Sequence, residues 1–194
     1  MSEITSLKLL FLAALALTTL MRVFLARRHM HHVAVHRNAV PREFSTVIPL
    51  DAHQKAADYT IIRTRLGLFH VIVSALALAI LTIGGGLQLF FDAWENWFEL
   101  DSYAHGIALF GTVGLIYAVV DLPFTIYRTF VIEERFGFNK ITWSLFVGDR
   151  IKGALLSIFI GVPLLLVLLW LMTSTGGLWW LYVWLFWLVF NLLV

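Results

Sequence analysis

From Gly153 to Val194 the chain runs 42 residues without an Asp, Glu, Lys or Arg. A bilayer core about 30 Å thick is crossed by roughly 20 helical residues, so the run is too long for one membrane crossing and fits two. The natural division is Thr173-Ser174-Thr175-Gly176-Gly177, where small and polar residues interrupt the apolar pattern. Three further apolar runs precede it. Leu7–Ala26 carries only Lys8 and Arg22, near its ends, where long side chains can reach the headgroups. Leu66–Phe91 has no charge but contains His70 and the triplet Gly84-Gly85-Gly86, which predicts a kink or an early end. Tyr103–Tyr127 is broken only by Asp121.

The fold class expected is therefore all-α, a polytopic membrane protein with about five transmembrane helices, read as one domain over 1–194. Composition agrees. The 194 residues are 60% hydrophobic and 13% charged, against roughly 45–50% and about 25% for a soluble domain, so a water-soluble globule is excluded. Cysteine is absent. This removes disulfides, thiolate metal ligands and cysteine nucleophiles, and leaves His, Asp and Glu for any metal. A cleaved signal peptide is the competing reading of the first run, because Ala14-Leu15-Ala16 has cleavage-site character. That site would fall inside the apolar run, and Arg27-Arg28 follow it, so a membrane anchor is expected.

Loop charges set the orientation. The first loop carries Arg27, Arg28, Arg37, Arg42, Lys55, Arg63 and Arg65 against Glu43, Asp51 and Asp58, while the second carries only Asp92, Glu95, Glu99 and Asp101. Basic residues return in the third as Arg128, Arg135, Lys140, Arg150 and Lys152. An excess of Lys and Arg marks cytoplasmic loops. The N-terminus is expected outside and the C-terminus in the cytoplasm. Trp94, Trp97 and Phe98, and Trp179, Trp180 and Tyr182, suit interfacial anchoring.

Three groups of residues could carry chemistry. His29, His31, His32 and His36 follow Arg27-Arg28, and the i, i+4 spacing of His32 and His36 puts both on one helix face, as a metal site could use. No glutamate stands between them, and H-E-x-x-H, whose Glu acts as general base, occurs nowhere in the chain. A juxtamembrane helix meeting anionic headgroups accounts for the same residues. Asp121 is an intramembrane polar site or a helix-end group paired with Arg128 or a loop arginine. The third group is Glu133-Glu134-Arg135-Phe136-Gly137-Phe138-Asn139, a mixed-charge cluster followed by aromatic anchors around a glycine. It is expected to fold back on the membrane or on a partner domain rather than to be a solvated connector.

The segment Phe130-Val131-Ile132-Glu133-Glu134-Arg135-Phe136-Gly137-Phe138-Asn139-Lys140 closely resembles the signature loop of the amino-terminal region of type I CAAX prenyl proteases, which are integral-membrane zinc endopeptidases. The first loop supports the resemblance with His36-Arg37-Asn38-Ala39-Val40-Pro41 and His53-Gln54-Lys55-Ala56-Ala57-Asp58-Tyr59-Thr60, which look like bacterial members. It extends roughly from Arg27 through the aromatic fifth span. It implies that these helices form part of a chamber wall, and that zinc is held by an H-E-x-x-H helix and a further glutamate in a carboxyl-terminal half expected to be absent from 1–194. No catalytic or metal residue carries over, so this chain is expected to bind no zinc itself, and whether it counts as an enzyme stays open. Glu133 to Asn139 carry over as a structural contact with the catalytic half. The implied partners are that half, membrane lipids, and membrane-protein or peptide substrates, with no nucleic acid. A non-enzymatic membrane scaffold that keeps the same fold is the alternative.

Overall fold

A computed structural model of the chain describes residues 2–100 and 102–193; Asp101 of the second loop and Val194 lie outside the described residues. It is built of helices, with no strand among the described residues. They are α1 (Ser2–Val35), α2 (Leu50–Thr82), α3 (Gly86–Glu95), α4 (Tyr103–Tyr127), α5 (Trp143–Ser174) and α6 (Trp179–Leu193). Four helical stretches are long and apolar enough to cross a membrane, Ile4–Val35, Leu50–Thr82, Tyr103–Glu133 and Trp143–Ser174, and Gly176–Leu192 forms a shorter apolar helix. The five apolar runs of the sequence are thus each represented by a helix.

Helix lengths differ from the runs for a physical reason. A helix of 32 residues is about 48 Å long at 1.5 Å per residue, well over the hydrocarbon thickness. The surplus of α1 and α2 is the polar stretch that the charge pattern assigns to the first loop. Helix therefore continues through His29–His32 to Val35 and resumes at Leu50, and only 36–49 connects them, with a 3₁₀ turn at Arg42–Phe44. Glycine sets the early end of α2. A Cβ at Gly84 would lie 2.6 Å from the Ile80 carbonyl oxygen, and Gly85 holds φ +81°. Both positions favour a residue without a side chain, and the residues Gly86–Phe91 go into the separate helix α3.

Proline does not end α4. Pro123 sits inside it, and the helix continues past Tyr127 as a π-turn over Arg128–Glu133. Asp121 is consequently not a helix-end group. At the far boundary, Thr142 caps α5, its Oγ1 accepting from the Leu145 N–H at 3.3 Å. The division of the charge-free run falls where expected, at Gly176 with φ +56°.

The chain divides into two compact units. One comprises the residues up to Leu87 with Leu115–Lys140, the other Gln88–Gly114 with the segment from Ile141 onward. In the first unit α1 packs on α2, and α2 on the π-turn; its buried apolar side chains include Ala57, Leu81, Ile132 and Phe136. In the second, Ser102 Oγ accepts from the His105 N–H at 3.2 Å, and the buried His105 reaches the Phe91 carbonyl through Nε2 at 3.2 Å. Trp94 donates through Nε1 to Thr112 Oγ1 at 3.0 Å. Large apolar side chains along α1 and α5, among them Leu17, Phe24, Leu155 and Phe159, are exposed, as lipid-facing helices require.

Candidate functional site

The first unit gathers the start of the connector after α1, the first turns of α2 and the turn that ends α4. Arg37 donates to Asp58 through Nε at 2.7 Å and Nη2 at 2.8 Å. Gln54 Nε2 donates to Asn38 Oδ1 at 3.0 Å, and His53 Nε2 meets the His36 carbonyl at 3.0 Å. The stretch 36–38 is thereby sewn to the first turns of α2. The hydrogen bonds that it donates to Asp58 hold the Arg37 guanidinium pKa above its ordinary range.

The signature turn begins as helix. The π-turn passes into α-helical backbone at Glu134–Arg135, and Gly137 then takes φ +70°. The Phe138 N–H donates to the Glu133 carbonyl at 2.8 Å, and the Gly137 N–H to the Glu134 carbonyl at 2.9 Å. This pair of bonds around a left-handed glycine is the Schellman helix ending. It sends Phe136 inward, 7% exposed, while Phe138 stays half exposed. Both meet Tyr59 of α2 edge-on, with centroids 5.4 and 5.0 Å away. The Lys55 ammonium lies 5.4 Å from the centre of the Phe138 ring. Asn139 Nδ2 donates to Glu134 Oε2 at 2.9 Å. Glu133 is partly covered, Glu134 and Arg135 are exposed, and the Arg135 guanidinium lies 6.0 Å from the centre of the Phe136 ring.

The histidines do not assemble into a metal site. The rings of His32 and His36 are neighbours, centroids 4.2 Å apart and tilted by 39°, but His36 Nδ1 is 2.8 Å from the His32 carbonyl. Among the described residues no group of three His, Asp or Glu side chains converges as metal ligands. A catalytic zinc needs three protein ligands and an open position, so the residues present do not fit it. His29 and His31 are exposed on α1 and line, with His32 and His36, an open groove.

Asp121 has a partner that the sequence did not indicate. Its Oδ1 is 3.4 Å from His70 Nε2 of α2, its Oδ2 accepts from Thr125 Oγ1 at 3.0 Å, and the His70 ring lies on Phe124 at 4.8 Å. Arg128, one expected partner, forms no ion pair with it. The two helices run antiparallel here, which brings Arg63 opposite Arg128 and His70 opposite Asp121 around one cavity of about 160 Å³.

Comparisons with known proteins bear on what this arrangement belongs to. A family model described as "CAAX prenyl protease N-terminal, five membrane helices" matches residues 29–194. A Caenorhabditis elegans protein named CAAX prenyl protease 1 homolog is 32% identical over 154 residues, covering 78% of this chain and 34% of that protein. A rice (Oryza sativa subsp. japonica) protein of the same name is 30% identical over 155 residues, covering 75% and 36%. The chain thus spans about a third of the length of these curated relatives. The crystal structure of S. mikatae Ste24p superposes with a TM-score of 0.83 at 22% identity, over 96% of this chain and 44% of that one, a likeness of fold.

Proposed function

We propose a function on one premise: this chain belongs to the CAAX prenyl protease family, as its N-terminal membrane part. It is an integral membrane protein of that family, with four long apolar helices and a shorter fifth. On our reading it is the membrane half of a zinc metallo-endopeptidase, forms part of a helical chamber wall, and serves cleavage of membrane or C-a-a-X-type protein substrates at the cytoplasmic face. The metal, its ligands and the general base belong to a carboxyl-terminal half, so no step of the chemistry is assigned to residues of this chain. We place the protein in a bacterial inner membrane with the N-terminus outside, following the loop charges and the first-loop segments that look bacterial.

One observation carries this reading. The segments His36–Asn38 and His53–Tyr59 and the turn Glu133–Asn139, distant in sequence, form a single aromatic platform that carries the exposed Glu134 and Arg135. A platform packed from within and charged without is suited to docking a second protein part. Its role is to seat the catalytic half.

The test is reconstitution. Co-expression of this chain with a carboxyl-terminal fragment containing H-E-x-x-H should yield chelator-sensitive cleavage of a prenylated C-a-a-X reporter, and Glu134→Ala together with Arg135→Ala should weaken co-purification of the two parts. A buried charged contact that loses one partner costs about 3–5 kcal/mol, whereas a solvated one costs well under about 1 kcal/mol. Unchanged co-purification and activity in the double variant would remove the docking role, and cleavage by this chain alone would overturn the division of labour.

A further inference from the structure

The cavity between α2 and α4 is lined by Arg63, Gly67, His70, Asp121, Phe124, Thr125 and Arg128, with Leu66 beside them. It sits at the boundary of the membrane. Arg63 and Arg128 lie just outside the apolar runs Leu66–Phe91 and Tyr103–Tyr127, while His70 and Asp121 lie one to two turns inside them.

Four features mark it as a candidate ligand site. The Asp121 and His70 side chains are 42% and 38% exposed, and an ionisable side chain within a membrane-spanning segment calls for a partner. Thr125 and His70 supply one contact to each carboxylate oxygen, and each oxygen can accept about two. Neither the Arg63 nor the Arg128 guanidinium forms an ion pair with a described residue, although Arg63 rests on the Tyr59 ring. The wall at Gly67 is open: a Cβ there would meet nothing within 4 Å.

Charge and size select the ligand. A plain anion would be drawn to the two guanidiniums and repelled by Asp121; a plain cation would meet the reverse. A group carrying both charges a few ångströms apart satisfies both ends. The cavity is small, about 160 Å³, on the scale of a lipid headgroup rather than of a folded peptide segment. We propose that this cavity binds the phosphoethanolamine headgroup of a membrane lipid, phosphate on Arg63 and Arg128, ammonium on Asp121, acyl chains outside. A quaternary choline headgroup has no N–H to donate to Asp121, and a phosphatidylglycerol headgroup has no cation. The inference is independent of the proteolytic reading.

The test is lipid retention by the full chain, delipidated in detergent and read by native mass spectrometry against phosphatidylethanolamine, phosphatidylcholine and phosphatidylglycerol of matched acyl chains. Losing one charged hydrogen bond is worth about tenfold or more. Ethanolamine lipid should be retained about tenfold over each of the others. Asp121→Asn should abolish its advantage over the glycerol lipid, and Arg63→Gln with Arg128→Gln should abolish retention. Gly67→Leu, which fills the void and keeps every charged group, should do the same at an unchanged melting temperature. Soluble glycerophosphoethanolamine should displace the lipid and inorganic phosphate should not. Equal retention of the three lipids, preference of the native protein for the glycerol lipid, undiminished binding in Gly67→Leu, or displacement by phosphate alone would each overturn the proposal.

Discussion

Arg37 and Asp58 face each other across 21 residues of chain with two parallel bonds, Nε to Oδ1 and Nη2 to Oδ2. The match is of a planar fork to a planar carboxylate, and lysine, a point charge on a flexible stem, cannot reproduce it. Arg37→Lys should therefore resemble Arg37→Ala in thermal unfolding more than it resembles the native protein. Added salt should shrink both differences, because the pair is partly exposed. A lysine variant as stable as the native chain would show that charge alone suffices.

The two phenylalanines that flank Gly137 should differ in weight. Phe136 is buried, and its truncation to alanine should cost about 3 kcal/mol or more. Phe138 is half exposed, and its truncation should cost well under half of that. Paired unfolding curves in one detergent decide the ranking, and equal losses would contradict the packing on Tyr59.

At Gly137 itself the backbone is left-handed, with φ +70°. Alanine there should cost about 1–2 kcal/mol, whereas asparagine, the other residue found at this position of helix endings, should recover part of the loss. An alanine variant as stable as the native protein would mean that the turn relaxes without penalty.

Membrane orientation is open to single cysteines in a chain that has none. Cysteine at Arg42 or at Ser144 should stay unlabelled by an impermeant thiol reagent added to intact cells, and cysteine at Asn96 should react. The opposite pattern would invert the topology.

Zinc content gives the last prediction. The purified chain should hold far less than one zinc per molecule by elemental analysis, and His32→Ala with His36→Ala should leave that figure unchanged. Stoichiometric zinc lost in the double variant would establish a site at the end of α1.

Much of this was legible in the sequence, and the misses share a cause. The charge-free runs found every membrane helix because hydrocarbon tolerates few charges whatever the tertiary structure. They misplaced helix ends because charge marks the edge of the bilayer and not the end of a helix. So α1 and α2 continue as polar helices through Arg28 and from Leu50, and α4 passes Pro123. The signature segment was identified, yet its helical character was hidden behind aromatic and charged residues; the one local sign was Gly137 after Arg135-Phe136, a C-terminal signal. His70 and Asp121 were each noticed alone. Their pairing depends on α2 and α4 running antiparallel, which no local pattern states, although each stands a similar distance from the arginine at its own end, Arg63 and Arg128.

The π-turn at Arg128–Glu133 also sets an angular phase. A π-turn accommodates about one residue more than the α-turn it replaces, and one residue corresponds to roughly 100° of rotation. The side chain before it at Asp121 and the one after it at Phe136 are thereby brought to bear on the same neighbour, α2. In an uninterrupted α-helix the second would swing away by about a quarter turn. Removing one residue from the stretch, at Thr129 for instance, would change no charge and leave the signature segment intact, and would turn the platform out of register with Tyr59.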